Sequence, residues 1–105
     1  MTTFDGREKA FEARFKHDQE LQFKVTARRN RLLGLWAAER MGLGAAAATA
    51  YAKEIVDAEF AGGDRHVVDK LIADLGAKGH SVTEAQIRFE LEHAAERAKQ
   101  QIMQE

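Results

Sequence analysis

Glu90 and His93 stand three residues apart, the E-x-x-H spacing by which carboxylate-bridged di-metal sites are built inside helical bundles. Such a site needs a second pair and further inward glutamates. This chain offers one pair, set largely off the Ile87/Leu91 apolar stripe, so no metal is expected. His17, His66 and His80 are scattered among polar neighbours. His17 and Asp18 are adjacent, which on a helix points them about 100° apart and precludes a dyad. The one serine, Ser81, is better used as a helix cap, and there is no cysteine. No nucleophile–base set can be assembled. Neither an enzyme nor a cofactor is expected.

Arg28, Arg29 and Arg31, with Asn30 among them, form the densest basic cluster. One use is a phosphate contact, which would make the chain a small helical nucleic-acid or nucleotide-binding module. The other is a solvated face whose arginines pair with Glu20, Glu39 or acids on neighbouring helices. The balance of charge favours the second: 16 Lys and Arg stand against 17 Asp and Glu, whereas nucleic-acid binders are usually strongly basic. Gly76-Ala77-Lys78-Gly79 has a G-x-x-G shape but lacks the βαα context of a KH domain. The charge is unevenly placed, at +3 over residues 1–31 and −4 over residues 32–105, so the two parts suit partners of different character.

The residues best suited to binding lie at the start. Phe4, Phe11 and Phe15 fall within about 40° of one another on a helical wheel, and nearly everything else around that cylinder is charged. A stripe of three rings on a charged rod suits docking to something large; the competing arrangement folds the rod back to bury the rings on its own core. Leu21, Val25, Leu32 and Trp36 make a second stripe, rotated by about 70°. Two stripes on one rod imply two partners: an external one for the first and the protein's own core for the second. Trp36, at helical spacing from Leu32, is read as the core's largest ring rather than a stacking platform.

These residues require helices to position them. The chain has no proline, its glycines cluster at Gly42/Gly44, Gly62/Gly63 and Gly76/Gly79, and no strand alternation is visible. Asp5, with Glu8 three residues on and Phe4 before it, predicts the start of a first rod that runs to about Met41. Gly34 inside it costs up to about 1 kcal/mol against alanine and permits a close helix crossing. A second helix carries Tyr51, Ile55 and Ala58 on one face and stops at Gly62-Gly63. A third opens at Asp64 and repeats Val67, Val68, Leu71, Ile72 and Leu75, with Gly76 closing it. A fourth opens at Ser81 with Glu84 as a capping box and lines up Ile87, Leu91, Ala94, Ala98 and Ile102. The fold expected is all-α: a small antiparallel four-helix bundle over residues 19–105, with helices at about 19–41, 45–60, 65–76 and 82–103. Residues 1–18 protrude as a segment that is partly flexible alone and helical when bound, because so short a free helix is marginal in water. No apolar run approaches membrane-spanning length and the N-terminus lacks a signal-type apolar region, so a soluble cytoplasmic protein is expected.

Phe4-Asp5-x-Arg7-Glu8, Phe15, His17-Asp18, Phe23-Lys24 and above all the string from Ala27-Arg28-Arg29-Asn30-Arg31 through Leu32-Leu33-Gly34-Leu35-Trp36-Ala37-Ala38 resemble the zeta subunit family of alphaproteobacterial F-type ATP synthases. The resemblance covers essentially the whole chain; position 6 departs from it, with glycine where a polar residue is usual. It implies an inhibitor of ATP hydrolysis by the synthase. Its N-terminal segment would insert as a helix between alpha and beta subunits of the catalytic head, towards the gamma subunit, and block rotation. A four-helix bundle would sit outside. Residues Arg7 to Phe15 are also similar to the inhibitory core of the mitochondrial ATPase inhibitor protein. On this reading Phe4, Phe11 and Phe15 anchor the helix in a groove and Asp5, Arg7, Glu8, Glu12 and Arg14 bind the partner and fix register. The protein would be peripheral to the inner membrane through the synthase, with no direct membrane insertion.

Overall fold

A computed structural model of the chain describes residues 2–105, with side chains described from residue 16 onward. Every regular element among them is helical: α1 spans Thr2–Arg40, α2 Ala45–Ala77 and α3 Glu84–Met103. The start of α1 at Thr2 moves Asp5 from the expected cap into the helix. Its end is a Schellman turn. Leu43 N–H reaches the Ala38 carbonyl at 3.0 Å, Gly42 N–H reaches that of Glu39 at 3.0 Å, and Gly42 takes φ 74°.

The expected four-helix bundle resolves into three helices, the middle one bent double. The predicted helices at 45–60 and 65–76 are the two arms of α2. In a straight helix residues 51 and 74 would lie about 35 Å apart. Here the Tyr51 hydroxyl donates to Asp74 Oδ2 at 2.8 Å, and Lys70 Nζ lies 3.7 Å from Glu54 Oε1. The arms 45–61 and 64–77 therefore run antiparallel. The reversal occurs in two residues, Gly62 (φ −161°, ψ 19°) and Gly63 (φ 69°, ψ −163°), the second in a region essentially reserved for glycine. With no loop between the arms there is no separate N-cap, and Asp64 turns its carboxylate to Arg29 instead.

Two further boundaries differ from expectation. The residue that closes α2 is Gly79 at φ 85°, not Gly76, because His80 N–H bonds the Leu75 carbonyl at 2.9 Å and Gly79 N–H that of Gly76 at 3.0 Å. The capping box of α3 is Thr83/Gln86, not Ser81/Glu84. Thr83 Oγ1 accepts from Gln86 N–H at 3.1 Å, and Gln86 Oε1 accepts from Thr83 N–H at 2.8 Å. Both registers satisfy the S/T-x-x-E/Q pattern. Only the second sets Val82 before the cap and Ile87 four residues after it, both packed in the core as a hydrophobic staple.

The apolar repeats of the second arm and of α3 are buried as their spacing predicts, including Val67, Val68, Leu71, Leu75, Ile87, Leu91, Ala94 and Ala98; Tyr51, Ile55 and Ala58 complete the α2 face. Each large side chain contributes about 1.5–3 kcal/mol on burial. The buried face of α1 is not the predicted one. Asn30, Leu33, Gly34, Ala37 and Ala38 are buried, whereas Leu32 and Trp36 are partly buried and Leu21 is 39% exposed. The fully buried arc is centred about 150° from the middle of the Leu32/Trp36 stripe. Both arcs are covered because α1 is gripped on two sides: Leu32 and Trp36 lie beside Glu90 and Ala94 of α3, and Gly34 crosses Ala52 of α2. Trp36 therefore sits on the flank of α3, with the Arg40 guanidinium 4.9 Å over its ring.

Candidate functional site

The predicted binding residues Phe4, Asp5, Arg7, Glu8, Phe11, Glu12, Arg14 and Phe15 lie outside the described side chains. What the structure describes is the root from which that stretch of α1 extends. Every residue from Lys16 to Lys24 is exposed. Among the described side chains, enclosure of α1 begins where it meets the end of α3 and the reversal of α2. At the first, Lys24 Nζ lies 3.2 Å from Glu105 Oε2, and Arg28 bonds Gln101 Oε1 at 3.0 Å and pairs with Glu105. At the second, the Phe23 and Phe60 rings pack with centroids 5.6 Å apart.

The arginine cluster is partly consumed in this root. Arg29 Nη2 reaches Glu59 Oε2 at 3.3 Å and Asp64 Oδ1 at 2.7 Å, while its Nε donates to Asn30 Oδ1 at 3.1 Å. Asn30, 0% exposed, donates from Nδ2 to Glu59 Oε2 at 3.3 Å. A buried asparagine with both ends bonded avoids the cost of an unpaired polar group and holds α1 in register against α2. With Arg28 and Arg29 so engaged and Arg31 exposed, the three do not form one phosphate-binding fork.

The two carboxyls facing Arg29 titrate in opposite directions. Burial first, and then the adjacent Asp64 carboxyl, push Glu59 above its ordinary value. The hydrogen bond from Arg29 holds Asp64 below its own. A raised Glu59 binds its proton more tightly in the folded chain, so its contribution to stability is complete below the unfolded value and lost as pH rises through the folded one. For Asp64 the sign is reversed: its contribution is present above the unfolded value and lost as pH falls through the folded one. Glu59→Gln keeps an acceptor for Asn30 and gives Asp64 a donor. We expect the variant to gain on the wild type as pH rises from 5 to 7, read from urea midpoints at both values. An identical pH dependence in the two chains would remove Glu59 from this role.

Elsewhere, Glu90 is partly buried and His93 exposed along a shallow groove of about 330 Å³ between α1 and α3. Among the described residues no group of three His, Asp or Glu side chains could hold a metal ion. No described helix is long and apolar enough to cross a membrane. Spacing had not singled out Phe23, Phe60, Asn30 or Glu59. A signal did exist for Phe60, which falls about 170° from the centre of the Tyr51/Ile55/Ala58 face.

The chain is all-α, a small helical core from which one long helix extends. The family model for ATPase inhibitor subunit zeta matches residues 1–101, and the chain belongs to that family. One similar solved structure, determined by solution NMR, is 41% identical, covers 80% of this chain and 96% of its own, and superposes with a TM-score of 0.70. No curated protein matches.

Proposed function

We propose that this chain inhibits ATP hydrolysis by the F-type ATP synthase by inserting residues 1–18 as a helix at an alpha/beta interface of the catalytic head, towards gamma, so that rotation stalls. The observation that carries the reading is the run from Lys16 to Lys24, exposed on the helix of an inhibitor-family chain. Those residues are spent on no intramolecular core and continue directly into the aromatic stripe. A helix over residues 5–20 is about 24 Å long, enough to enter a cleft between subunits. Phe4, Phe11 and Phe15 supply apolar anchors, and Asp5, Arg7, Glu8, Glu12 and Arg14 orient them. Inhibition follows if the helix binds one rotational state better than the others, because the cycle then stops in that state. The protein has no catalytic role of its own, is cytoplasmic, and meets the membrane only through the synthase.

Titrating the full chain against ATP hydrolysis by the cognate head should produce saturable inhibition. Phe11→Ala should weaken it by about 1–2 kcal/mol, roughly a 5–30-fold rise in the half-inhibitory concentration. An unchanged value removes Phe11 as an anchor, and absence of inhibition by the wild type overturns the reading.

A further inference from the structure

The end of the core from which α1 emerges carries two large rings that the fold leaves open. Phe23, on α1, is 57% exposed and Phe60, at the α2 reversal, 66%. Their planes are inclined at 46°, and below them is a small apolar hollow of about 70 Å³ bordered by Ala27 and Val56. Beside the rings, Arg29 meets Glu59 and Asp64, so the charges nearest this patch are already matched within the chain.

We propose that the Phe23–Phe60 pair is a shoulder that packs on the outer wall of the catalytic head at the mouth of the cleft receiving the N-terminal helix. This rests on the reading under Proposed function. Two arguments select that occupant. The first is position: from residue 18 to Phe23 is about 7.5 Å along the helix axis, so a protein gripping the rod as far as residue 18 comes within side-chain reach of these rings. The second is size. Two phenylalanines of about 200 Å² each, a little over half exposed, offer about 250 Å². A stable dimer needs about 800 Å² from each copy. The patch is too small to hold a second copy of this chain alone, but suffices as an annex to an interface the rod already makes. A shoulder of this kind limits how deep the rod enters and slows its departure.

Phe60 provides the cleaner test because it lies on α2 and leaves the rod unaltered. Full-length Phe60→Ala should raise the half-inhibitory concentration against ATP hydrolysis by the cognate head about 5–30-fold, chiefly through faster dissociation. Phe60→Lys, which substitutes a good helix former at the same exposed position, should weaken inhibition at least as much. Both chains should unfold within a few degrees of the wild type, because the ring is largely in solvent. If either folded variant inhibits like the wild type, the shoulder is overturned while the inhibitory rod stands. If sedimentation shows a wild-type dimer that Phe60→Ala dissolves with inhibition unchanged, the patch serves a second copy and the proposal is likewise overturned. If the wild type does not inhibit, the functional reading fails first.

Discussion

Removing residues 1–18 should yield a chain that folds and does not inhibit. The expectation of folding comes from where α1 is enclosed: among its described side chains, from residue 16 onward, burial begins at Asn30, and residues 16–24 are all exposed. The ties of Lys24 and Arg28 to Glu105, the Phe23–Phe60 contact and the Arg29–Asn30–Glu59 bonds all lie beyond the deletion. Helix outside these contacts contributes little, so stability should change by about 1 kcal/mol or less. The helical circular dichroism signal should fall while the unfolding transition stays cooperative. The expectation for function comes from hot-spot energetics. The deletion takes all three ring anchors and their charged neighbours together, and losing several residues worth about 1–2 kcal/mol each moves inhibition out of the measurable range. A truncated chain that still blocks hydrolysis would refute insertion by the N-terminal segment. One that fails to fold would refute residues 19–105 as an independent unit.

Gly34→Ala should destabilise the protein although alanine is the better helix former. A Cβ at position 34 would lie 2.6 Å from the Ala52 Cα and 3.2 Å from Ile55 Cγ1. The first is backbone, so α1 and α2 must separate; overpacking of this kind costs about 1–3 kcal/mol, and an intrinsic gain of up to about 1 kcal/mol offsets part of it, leaving a net loss of about 1–2 kcal/mol. For a domain of this size each kcal/mol lowers the unfolding midpoint by about 4–8 °C. Gly76 is the internal control, because it also lies within a helix and a Cβ there would meet nothing within 4 Å. Gly76→Ala should therefore stabilise slightly. Matched effects at the two glycines, measured by calorimetry, would show that the α1–α2 crossing is looser than the geometry implies.

Where periodicity was carried by large side chains packed on one neighbour, the sequence was readable. The Val67-to-Leu75 repeat and the Ile87-to-Ala98 repeat are each buried on the face their spacing indicates. The same rule failed on α1, where Leu21 and Trp36 drew attention to one stripe and the deepest contacts are made by Gly34, Ala37 and Ala38. Small residues carry almost no hydrophobic signal. Their importance is the approach they permit, and that depends on where the neighbouring backbone lies. Capping was ambiguous for a related reason: Ser81/Glu84 and Thr83/Gln86 are equally good local patterns, and the packing of Val82 and Ile87 on the tertiary core selects between them.

Helical character, the glycine interruptions and the aromatic spacing along a charged first segment can all be read from the residues alone. These are local matters of backbone freedom and spacing. The chain's motifs also determined the family. Long-range packing is what makes the second and third predicted helices one helix doubled at Gly62–Gly63, holds Arg28 and Arg29 on Gln101, Glu105, Glu59 and Asp64, and brings Phe23 and Phe60 together in the open beside the emerging rod. Each joins residues at least 30 positions apart or turns on how two arms pack, and no local pattern encodes which distant surfaces will meet when α1 is clasped from two sides.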